Sequence, residues 1–293
     1  MPTTLPPRVG IVILLVAATC FASNHTAARV AFDHGASVAA GVVTRATGTA
    51  LFLLALMRWQ GVPLRLPREL RHWALLAGVL IAVQSYCLYS AVALIPPALA
   101  LLVFQTSPLL YVLLTWALTG HAPRASAFPA MLAALIGLAA ALDIRWDSLA
   151  ARWAEIGAGA TWAFAGGMSM ACVYYINAHK LKPLDGRLRT MMMTAVTAVL
   201  VAVGGAAAGK LALPAEAAGY AGLALLTIFY CTAMSLLFYA QPLVTPAATT
   251  ALNFEPIALL GLAWFFLGNT LQPVQIAGAL IVVGAIAWLR ARH

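Results

Sequence analysis

The chain has 293 residues, of which 63% are hydrophobic and 9% are charged, and its mean hydropathy is +0.93. Soluble proteins carry about 25% charged residues, so this composition excludes a water-soluble globule and indicates an integral membrane protein. The formal net charge of +9 is therefore not interpreted as a nucleic-acid-binding surface, and it has to be explained by the positions of the charges relative to a bilayer.

Charged residues divide the chain into apolar stretches of membrane-spanning length. The stretch from Gly10 to Ala28 carries no charge and predicts the first span. Its weakly basic start and the lack of a small-residue cleavage site favour a retained helix over a signal peptide. No charged residue lies between Arg71 and Arg124, and this stretch is more than twice the ~20 residues of one crossing. It predicts two spans, separated at Pro96 and Pro97 because proline interrupts helices.

The second half of the chain continues in the same way. From Ala217 to Leu289 the only charged residue is Glu255, and the length of this stretch predicts three more spans. With the remaining apolar stretches, the sequence predicts an all-helical membrane protein without a soluble domain. The ten predicted spans are residues 9–31, 36–57, 72–94, 97–119, 126–142, 155–178, 188–209, 217–240, 246–267 and 273–289.

The distribution of Lys and Arg predicts the orientation, since these residues are enriched in cytoplasmic loops. With ten spans and a cytoplasmic N-terminus, twelve of the seventeen cationic residues lie on the inner side and four on the outer side. This asymmetry predicts that both termini are cytoplasmic. The remaining cationic residue, Arg45, lies inside the second span.

The two halves of the sequence carry matching residues. Three residues of the fourth span recur in the ninth at a constant offset of 148: Pro108, Trp116 and Gly120 match Pro256, Trp264 and Gly268. Two dipeptides correspond as well, Phe21-Ala22 with Trp162-Ala163 and Tyr86-Cys87 with Tyr230-Cys231. Because each half has five spans, the second half enters the membrane from the opposite side. The sequence thus predicts an inverted repeat of residues 1–144 and 145–293, the arrangement that supports alternating access to a central cavity.

Each half contains a Pro-containing span that runs through an aromatic residue into a glycine and is followed by one short span. The motifs are Ser107-Pro108…Trp116…Gly120 and Glu255-Pro256…Trp264…Gly268. In this arrangement, over nearly the whole chain, the sequence resembles the drug/metabolite transporter superfamily of the EamA type. The resemblance implies export of a small molecule and a location in the bacterial inner membrane. The middle spans are similar to those of bacterial amino acid and metabolite exporters, including the aromatic amino acid exporter type.

Two charged side chains are predicted near mid-membrane, where a charge costs at least about 2.5 to 3.5 kcal/mol on insertion scales. Glu255 lies about nine residues into the ninth span and Arg45 about nine residues into the second. Three interpretations are open. The two residues form a structural ion pair across the repeats, or either or both contact the ammonium or carboxylate of a zwitterionic substrate, or Arg45 extends to the membrane surface and does neither.

Polar and aromatic side chains of the first, third and sixth spans are further cavity candidates. Asn24 and His25 lie far from any loop. The sequence leaves His25 open as a satisfied buried histidine, a substrate contact or a proton-coupling group, since its charge changes near neutral pH. Tyr86 and Tyr89 are predicted to share a helix face, and Trp162 lies too deep for the interfacial belt. Their rings suit an ammonium group or a flat apolar side chain.

The two matched prolines also draw attention to amide side chains. Gln105 lies three residues before Pro108, and Asn253 lies three before Pro256. Each amide can hydrogen-bond a substrate or hold helices together, and both interpretations are open. The matched prolines are predicted to be paired hinges, because each removes a backbone donor within a span.

These features favour a secondary transporter of small amphipathic metabolites, foremost amino acids, since no ATP-binding motif is present. A proton-coupled exporter of drugs or other metabolites is the alternative, with His25 and Glu255 as proton carriers, and a channel is a third possibility. An enzyme is not expected, because the sequence has no paired acids, no zinc-type His-Glu motif and no nucleophile with a base.

No metal or cofactor is expected either. The four cysteines lie inside predicted spans at no zinc-site spacing: Cys20, Cys87, Cys172 and Cys231. The expected partners are a small-molecule substrate and membrane lipids, not nucleic acid, and a monomer is compatible with the sequence.

Overall fold

The computed structural model describes residues 6–120, 122, 127–141, 149–240, 254–267 and 272–291. These residues are helical and contain no β-strand, as expected where backbone groups in a bilayer have only each other as partners. The helices are α1 (Pro7–Asp33), α2 (Val38–Trp59), α3 (Arg71–Leu94), α4 (Pro97–Phe104), α5 (Ser107–Thr119), α6 (Ala127–Ala141), α7 (Leu149–His179), α8 (Gly186–Ala207), α9 (Ala217–Ala240), α10 (Glu255–Leu267) and α11 (Pro273–Ala291). A short 3₁₀ turn, Arg68–Leu70, precedes α3.

Most of these helices have the length and apolarity of membrane spans. Seven helical segments of the described chain are long and apolar enough to cross a membrane: Arg8–Asp33, Val38–Trp59, Arg68–Leu94, Pro97–Thr119, Trp153–His179, Gly186–Ala207 and Ala217–Phe238. Two shorter apolar helices, Leu132–Ala141 and Pro273–Ala285, lie within α6 and α11. The protein is therefore a multi-pass membrane protein. The total of ten spans and the cytoplasmic position of both termini stay predictions.

One predicted span differs from the structure in a way that proline explains. The predicted helix 97–119 consists of α4 and α5, which are interrupted at Gln105 and Thr106. Pro108 has no N–H to donate to the Phe104 carbonyl. The backbone N–H groups of Leu109 and Leu110 donate instead to Thr106 O, over 2.9 and 3.0 Å. The proline that the sequence places inside a helix therefore marks the start of a new one.

The glycine that closes this stretch has a conformational reason. Gly120 has a φ of 71° and donates its N–H to Trp116 O over 2.8 Å. This left-handed conformation is easily reached by glycine and costly for residues with a side chain. The glycine of the repeated motif therefore ends α5.

Side-chain caps begin two of the spans. Ser37 Oγ accepts a hydrogen bond of 3.1 Å from Ala40 N at the start of α2. Asp185 Oδ1 accepts one of 2.8 Å from Arg187 N at the start of α8. Hydrogen bonds from the Arg187 side chain to the same carboxylate lower the pKa of Asp185 below its ordinary value. The charged form of Asp185 is thus the one that caps α8.

Replacing Asp185 with alanine is expected to destabilise the protein by about 0.5 to 2 kcal/mol, the usual cost of losing an N-cap. Because the pKa of Asp185 is lowered by folding, its charge contributes stability above the ordinary pKa of the group. This contribution is lost as the pH falls through the lowered value. Thermal unfolding in detergent should therefore show a larger deficit for Asp185→Ala at pH 7 than at pH 3. Glu69→Ala, at an exposed acid in the 3₁₀ turn, is the control. An equal deficit for both variants would contradict the assignment.

Close helix packing builds the bundle. The most extensive contacts are those of α1 with α9, α3 with α7, α6 with α11 and α2 with α8. Glycines allow this approach: a Cβ added at Gly222 of α9 would lie 2.7 Å from Ala31 N of α1. One added at Gly278 of α11 would lie 2.5 Å from the Gly137 carbonyl oxygen of α6. Helix α3 lies against α1, α2, α4, α7 and α8, which places its polar residues in the interior.

Candidate functional site

A partly buried arginine lies at the centre of a group of polar side chains inside the bundle. Arg45 of α2 donates a hydrogen bond of 2.7 Å from Nη2 to Ser85 Oγ of α3. Ser85 Oγ in turn donates to Gln84 Oε1 over 3.2 Å. On this side the guanidinium therefore contacts a neutral hydroxyl, so its positive charge is not compensated there.

Two aromatic rings flank the same guanidinium. The Cζ of Arg45 lies 4.4 Å from the centre of the Tyr230 ring and 5.1 Å from that of the Tyr89 ring. Cation–π attraction of this kind contributes about 0.5 to 2 kcal/mol, more where water is excluded. The rings hold the charge in place without neutralising it.

One N–H of this arginine has no partner among the described residues. The Nε of Arg45 is buried and makes no hydrogen bond with any of them. A buried donor without a partner costs about 1 to 3 kcal/mol, so native structures rarely retain one without a reason. This N–H is an open position for an acceptor oxygen.

Tyr89 joins the arginine to helix α1. The tyrosine is 1% exposed, and its hydroxyl donates a hydrogen bond of 2.8 Å to Asn24 Oδ1. Its ring makes edge-to-face contacts with Phe32 and His25, at centroid distances of 5.8 and 6.2 Å. Burial and three contacts therefore fix the ring that stacks on Arg45.

His25 and Glu255 form the acidic side of the group. Nε2 of His25 lies 3.5 Å from Oε1 of Glu255, and their side chains are 9% and 21% exposed. The other ring nitrogen, Nδ1, is buried without a hydrogen-bond partner. The contact is an ion pair only when the imidazole is protonated. The strength of this contact therefore depends on protonation.

Helix periodicity explains why these residues meet. Ser85 and Tyr89 are four residues apart and share one face of α3. Helices α1, α2, α9 and α10 supply the other members around them. We call this group the polar cluster: Asn24, His25, Arg45, Ser85, Tyr89, Tyr230 and Glu255.

Two of the three sequence-based interpretations of Arg45 and Glu255 are wrong. Arg45 contacts Ser85 and the rings of Tyr89 and Tyr230, whereas Glu255 contacts His25. They are not paired with each other, because α10 packs against α1 while Arg45 of α2 points toward α3 and α9. Arg45 also does not extend to the membrane surface, since its Nε is buried. Contact of these residues with a substrate stays a prediction.

Tyr86 and Trp162 form a separate aromatic pair. Their rings meet edge to face with centroids 6.3 Å apart, and Trp162 is 40% exposed. Both line a groove of about 470 Å³ between α3, α7 and α8. Tyr86 and Tyr89 pack against the same apolar core, as their spacing predicts, but the ring that flanks Arg45 is that of Tyr89. The structure thus divides the predicted aromatic residues between two places.

The interruption between α4 and α5 holds another predicted residue. Gln105 is half-buried at this break, and Pro108 is buried. Ser107 Oγ, beside them, is buried without a hydrogen-bond partner. Gly167 of α7 packs here, where an added Cβ would lie 3.2 Å from Phe104 O. The structure therefore confirms that the helix is interrupted before Pro108. A hinge motion at Pro108 stays a prediction.

The matching residues of the second half are less fully described. Pro256 is the second residue of α10 and is buried. Asn253 lies outside the described residues, so its predicted role is not addressed by the structure. The role of Pro256 as a hinge likewise stays a prediction.

Comparison with known proteins places the first half of the chain. Residues 8–142 match the model of a family described as the EamA-like transporter family. This segment is an EamA-like transporter domain. The proteins of this family are transporters of small metabolites and not enzymes, as the sequence analysis expected at this level.

A solved structure extends the comparison to the rest of the chain. One crystal structure is similar with a TM-score of 0.65 and 19% sequence identity, over 98% of this chain and 96% of the other. At this identity the likeness concerns the fold alone. No curated protein matches the chain.

The polar cluster extends beyond the EamA-like domain. Asn24, His25, Arg45, Ser85 and Tyr89 lie within residues 8–142. The cluster is completed by one tyrosine of α9 and one glutamate of α10. Both halves of the chain are therefore needed to assemble it.

Sequence reasoning missed three neighbours of Arg45. These are Ser85, Tyr230 and Thr49, whose Oγ1 donates to Arg45 O over 2.7 Å. Tyr230 could have been predicted as a site residue, because Tyr230-Cys231 matches Tyr86-Cys87 in the repeat. Ser85 and Thr49 could not have been predicted in this way, since a serine or threonine in a helix most often bonds a carbonyl of its own helix.

Proposed function

We propose that this protein is a secondary transporter that exports zwitterionic metabolites, foremost amino acids, across the bacterial inner membrane by alternating access. The observation that carries the proposal is the polar cluster, in which a cation with a buried, unpartnered N–H and an accessible carboxylate lie in one bundle interior. The EamA-like domain makes the class of protein a transporter, and the cluster suggests the chemistry of what is carried.

The arginine suits a carboxylate. Arg45 is held by Ser85 and by the rings of Tyr89 and Tyr230, without an acid as partner. A carboxylate that accepts from Nε would satisfy the open donor and compensate the charge, and charge-assisted hydrogen bonds are the stronger kind. We therefore assign the carboxylate of the substrate to Arg45.

The glutamate suits an ammonium group. Glu255 retains 21% of its side-chain exposure and has His25 as its neighbour. His25 contacts Tyr89, and Tyr89 flanks Arg45, so the acidic and basic ends are connected through one ring. A zwitterion carries one charge for each of these two ends, which favours it over an anion or cation alone.

The helix contacts support an inverted repeat of residues 1–144 and 145–293. In such a repeat α1 corresponds to α7 and α3 corresponds to α9. Replacing each helix by its counterpart turns the pair of α1 and α9 into the pair of α7 and α3, and both pairs are among the most extensive helix contacts. The other two extensive pairs, α2 with α8 and α6 with α11, each consist of a helix and its own counterpart. This pattern is the one expected from two halves related by a twofold axis in the membrane.

Two aromatic contacts support the same relation. Phe21 and Tyr230 meet edge to face at 5.6 Å and 71°, and Trp162 and Tyr86 meet at 6.3 Å and 70°. These are the residues that the sequence comparison matched between the halves. We infer that Pro108 and Pro256 are the paired hinges on which the halves move.

Counterflow into proteoliposomes tests the proposal. Vesicles with purified protein and a high internal concentration of one unlabelled amino acid should accumulate the same labelled amino acid transiently, above empty vesicles. A panel of neutral amino acids, their decarboxylated amines and their deaminated acids should show that both charges are needed. Equal transport of amines and amino acids, or no transport of any amino acid, would contradict the proposal.

A proton-coupled exporter of drugs or other metabolites is the second candidate. The contact of His25 with Glu255 favours it, because protonation of either residue changes the contact. An imposed pH gradient separates the candidates: it should drive accumulation of the substrate if protons are coupled, and Glu255→Gln should abolish that drive. Transport rates that are unchanged by the pH gradient would contradict proton coupling and support facilitated exchange.

A further inference from the structure

A lateral groove lies on the side of α3 that faces α8, away from the polar cluster. Its walls include Val79, Val83 and Tyr86 of α3, Trp162 of α7 and Gly204 of α8, with Lys210 at its rim. No residue of the polar cluster lines it. The groove is therefore distinct from the proposed transport site.

The dimensions and chemistry of the lateral groove suit a hydrocarbon chain. Its α3 wall runs from Val79 to Cys87, about 12 Å at ~1.5 Å per residue, which is close to half of a ~30 Å hydrocarbon core. The volume is about 470 Å³. Gly204 is exposed, and a Cβ added there would meet no atom within 4 Å, so the α8 wall leaves open space at this position.

The rim of the groove carries an unneutralised positive charge. Lys210 follows α8 at the end of the span, and it forms no ion pair with an acid of the described chain. Of the acids in the neighbouring loops, Asp33 is paired with Arg29 over 2.9 Å, and Glu216 lies 3.8 Å from His34, a contact that is an ion pair only when the imidazole is protonated. The ammonium is free to meet an anion at the membrane surface.

The start of α2 at the same rim adds to this preference. Ala39, in the first turn of α2, lines the groove, and a helix N-terminus favours negative charge. The end of α8 has the opposite polarity, so the charge of Lys210 is the main attraction for an anion at this rim.

We propose that the lateral groove binds one acyl chain of an anionic membrane phospholipid, whose phosphate group contacts Lys210. An apolar channel from mid-membrane to the surface, with a cation at its mouth, matches a lipid with its chain inside and its headgroup outside. Juxtamembrane cations attract anionic lipids in this way. The lining residues that the structure describes include no acid and no amide to bind the ammonium group of an amino acid, which favours a lipid over the transported solute as the occupant.

Native mass spectrometry of the delipidated protein, titrated with phosphatidylglycerol or phosphatidylcholine, tests the proposal. The wild type should bind one phosphatidylglycerol more tightly than phosphatidylcholine. Lys210→Ala should weaken that binding about fivefold, in line with the attraction of one basic residue at a membrane surface, and Gly204→Leu should remove the site by filling the groove. Equal affinity for both lipids, or unchanged binding by either variant, would overturn the proposal.

Matched controls separate a lost site from a damaged fold. Gly284→Leu of α11 also places a side chain where a Cβ meets nothing within 4 Å, but it lies outside the groove. Lys182→Ala removes an exposed lysine from the loop between α7 and α8. Both should bind phosphatidylglycerol as the wild type does. Thermal unfolding of all four variants checks folding, and a loss of lipid in the controls equal to that in Gly204→Leu would also overturn the proposal.

Discussion

Arg45→Lys is expected to lower the initial rate of amino acid counterflow by about 10- to 100-fold, although the charge is retained. Lysine has no Nε and no planar fork, so it cannot donate to Ser85 and a substrate carboxylate in the same geometry. Hydrogen bonds to charged groups contribute about 1.5 to 3 kcal/mol, which corresponds to this loss. The ring of Tyr230, 4.4 Å from the guanidinium, would also lose its flat cationic partner. Initial uptake into proteoliposomes with equal protein content measures the effect.

The controls for this prediction come from the same chain. Arg45→Ala should be inactive, and Arg58→Lys, at an exposed position near the end of α2, should transport normally. Thermal unfolding distinguishes a folded, inactive protein from a collapsed one. If Arg45→Lys retained full activity, Arg45 would be a structural residue and the assigned carboxylate contact would be wrong.

Gly278→Ala is expected to destabilise the protein by about 1 to 3 kcal/mol, the usual cost of overpacking a tight contact. The added methyl group would lie 2.5 Å from the Gly137 carbonyl oxygen and 2.9 Å from the Ala140 carbonyl carbon. Both are backbone atoms, so no side chain can move aside, and α6 and α11 must separate. The midpoint of thermal unfolding in detergent should fall by several degrees.

Gly284→Ala on the same helix is the matched control. Nothing lies within 4 Å of an added Cβ at Gly284, and alanine favours a helix over glycine by about 1 kcal/mol. This variant should therefore be as stable as the wild type or slightly more stable. Equal midpoints for the two variants would show that α6 and α11 do not rely on this close contact.

Much of the fold followed from the sequence because a bilayer imposes simple rules. Uncharged stretches located the seven helical segments of membrane-spanning length in the described chain to within several residues, and α9 coincides with its predicted range, 217–240. The main departure, the break before Pro108, involves a residue that the sequence had singled out. Its consequence was misjudged because prolines are often tolerated within membrane helices, whereas here a hydrogen-bonded turn at Gln105 and Thr106 separates α4 from α5.

The residues of the candidate site could be predicted only in part from the sequence. An intramembrane Arg45 and Glu255 stood out, since each carries a high cost in lipid. Their partners did not, because pairing depends on which helices are adjacent, and adjacency across α1, α9 and α10 has no local signature. The interpretation of the two charges as an ion pair, one of three left open, was therefore wrong, while the contact of His25 with Glu255 was not foreseen.

The amino-acid sequence by itself determines the membrane location, the helical class, the apolar periodicity and the matched residues of the two halves. These properties depend on composition and on spacing along one helix, where the hydrophobic effect and the backbone act locally. The meeting of Arg45 with Ser85, Tyr89 and Tyr230, and the separation of Tyr86 and Trp162 into a lateral groove, needed the folded bundle. They arise from the angle and rotation at which helices pack, which glycines such as Gly222 and Gly278 set through contacts between residues distant in the chain.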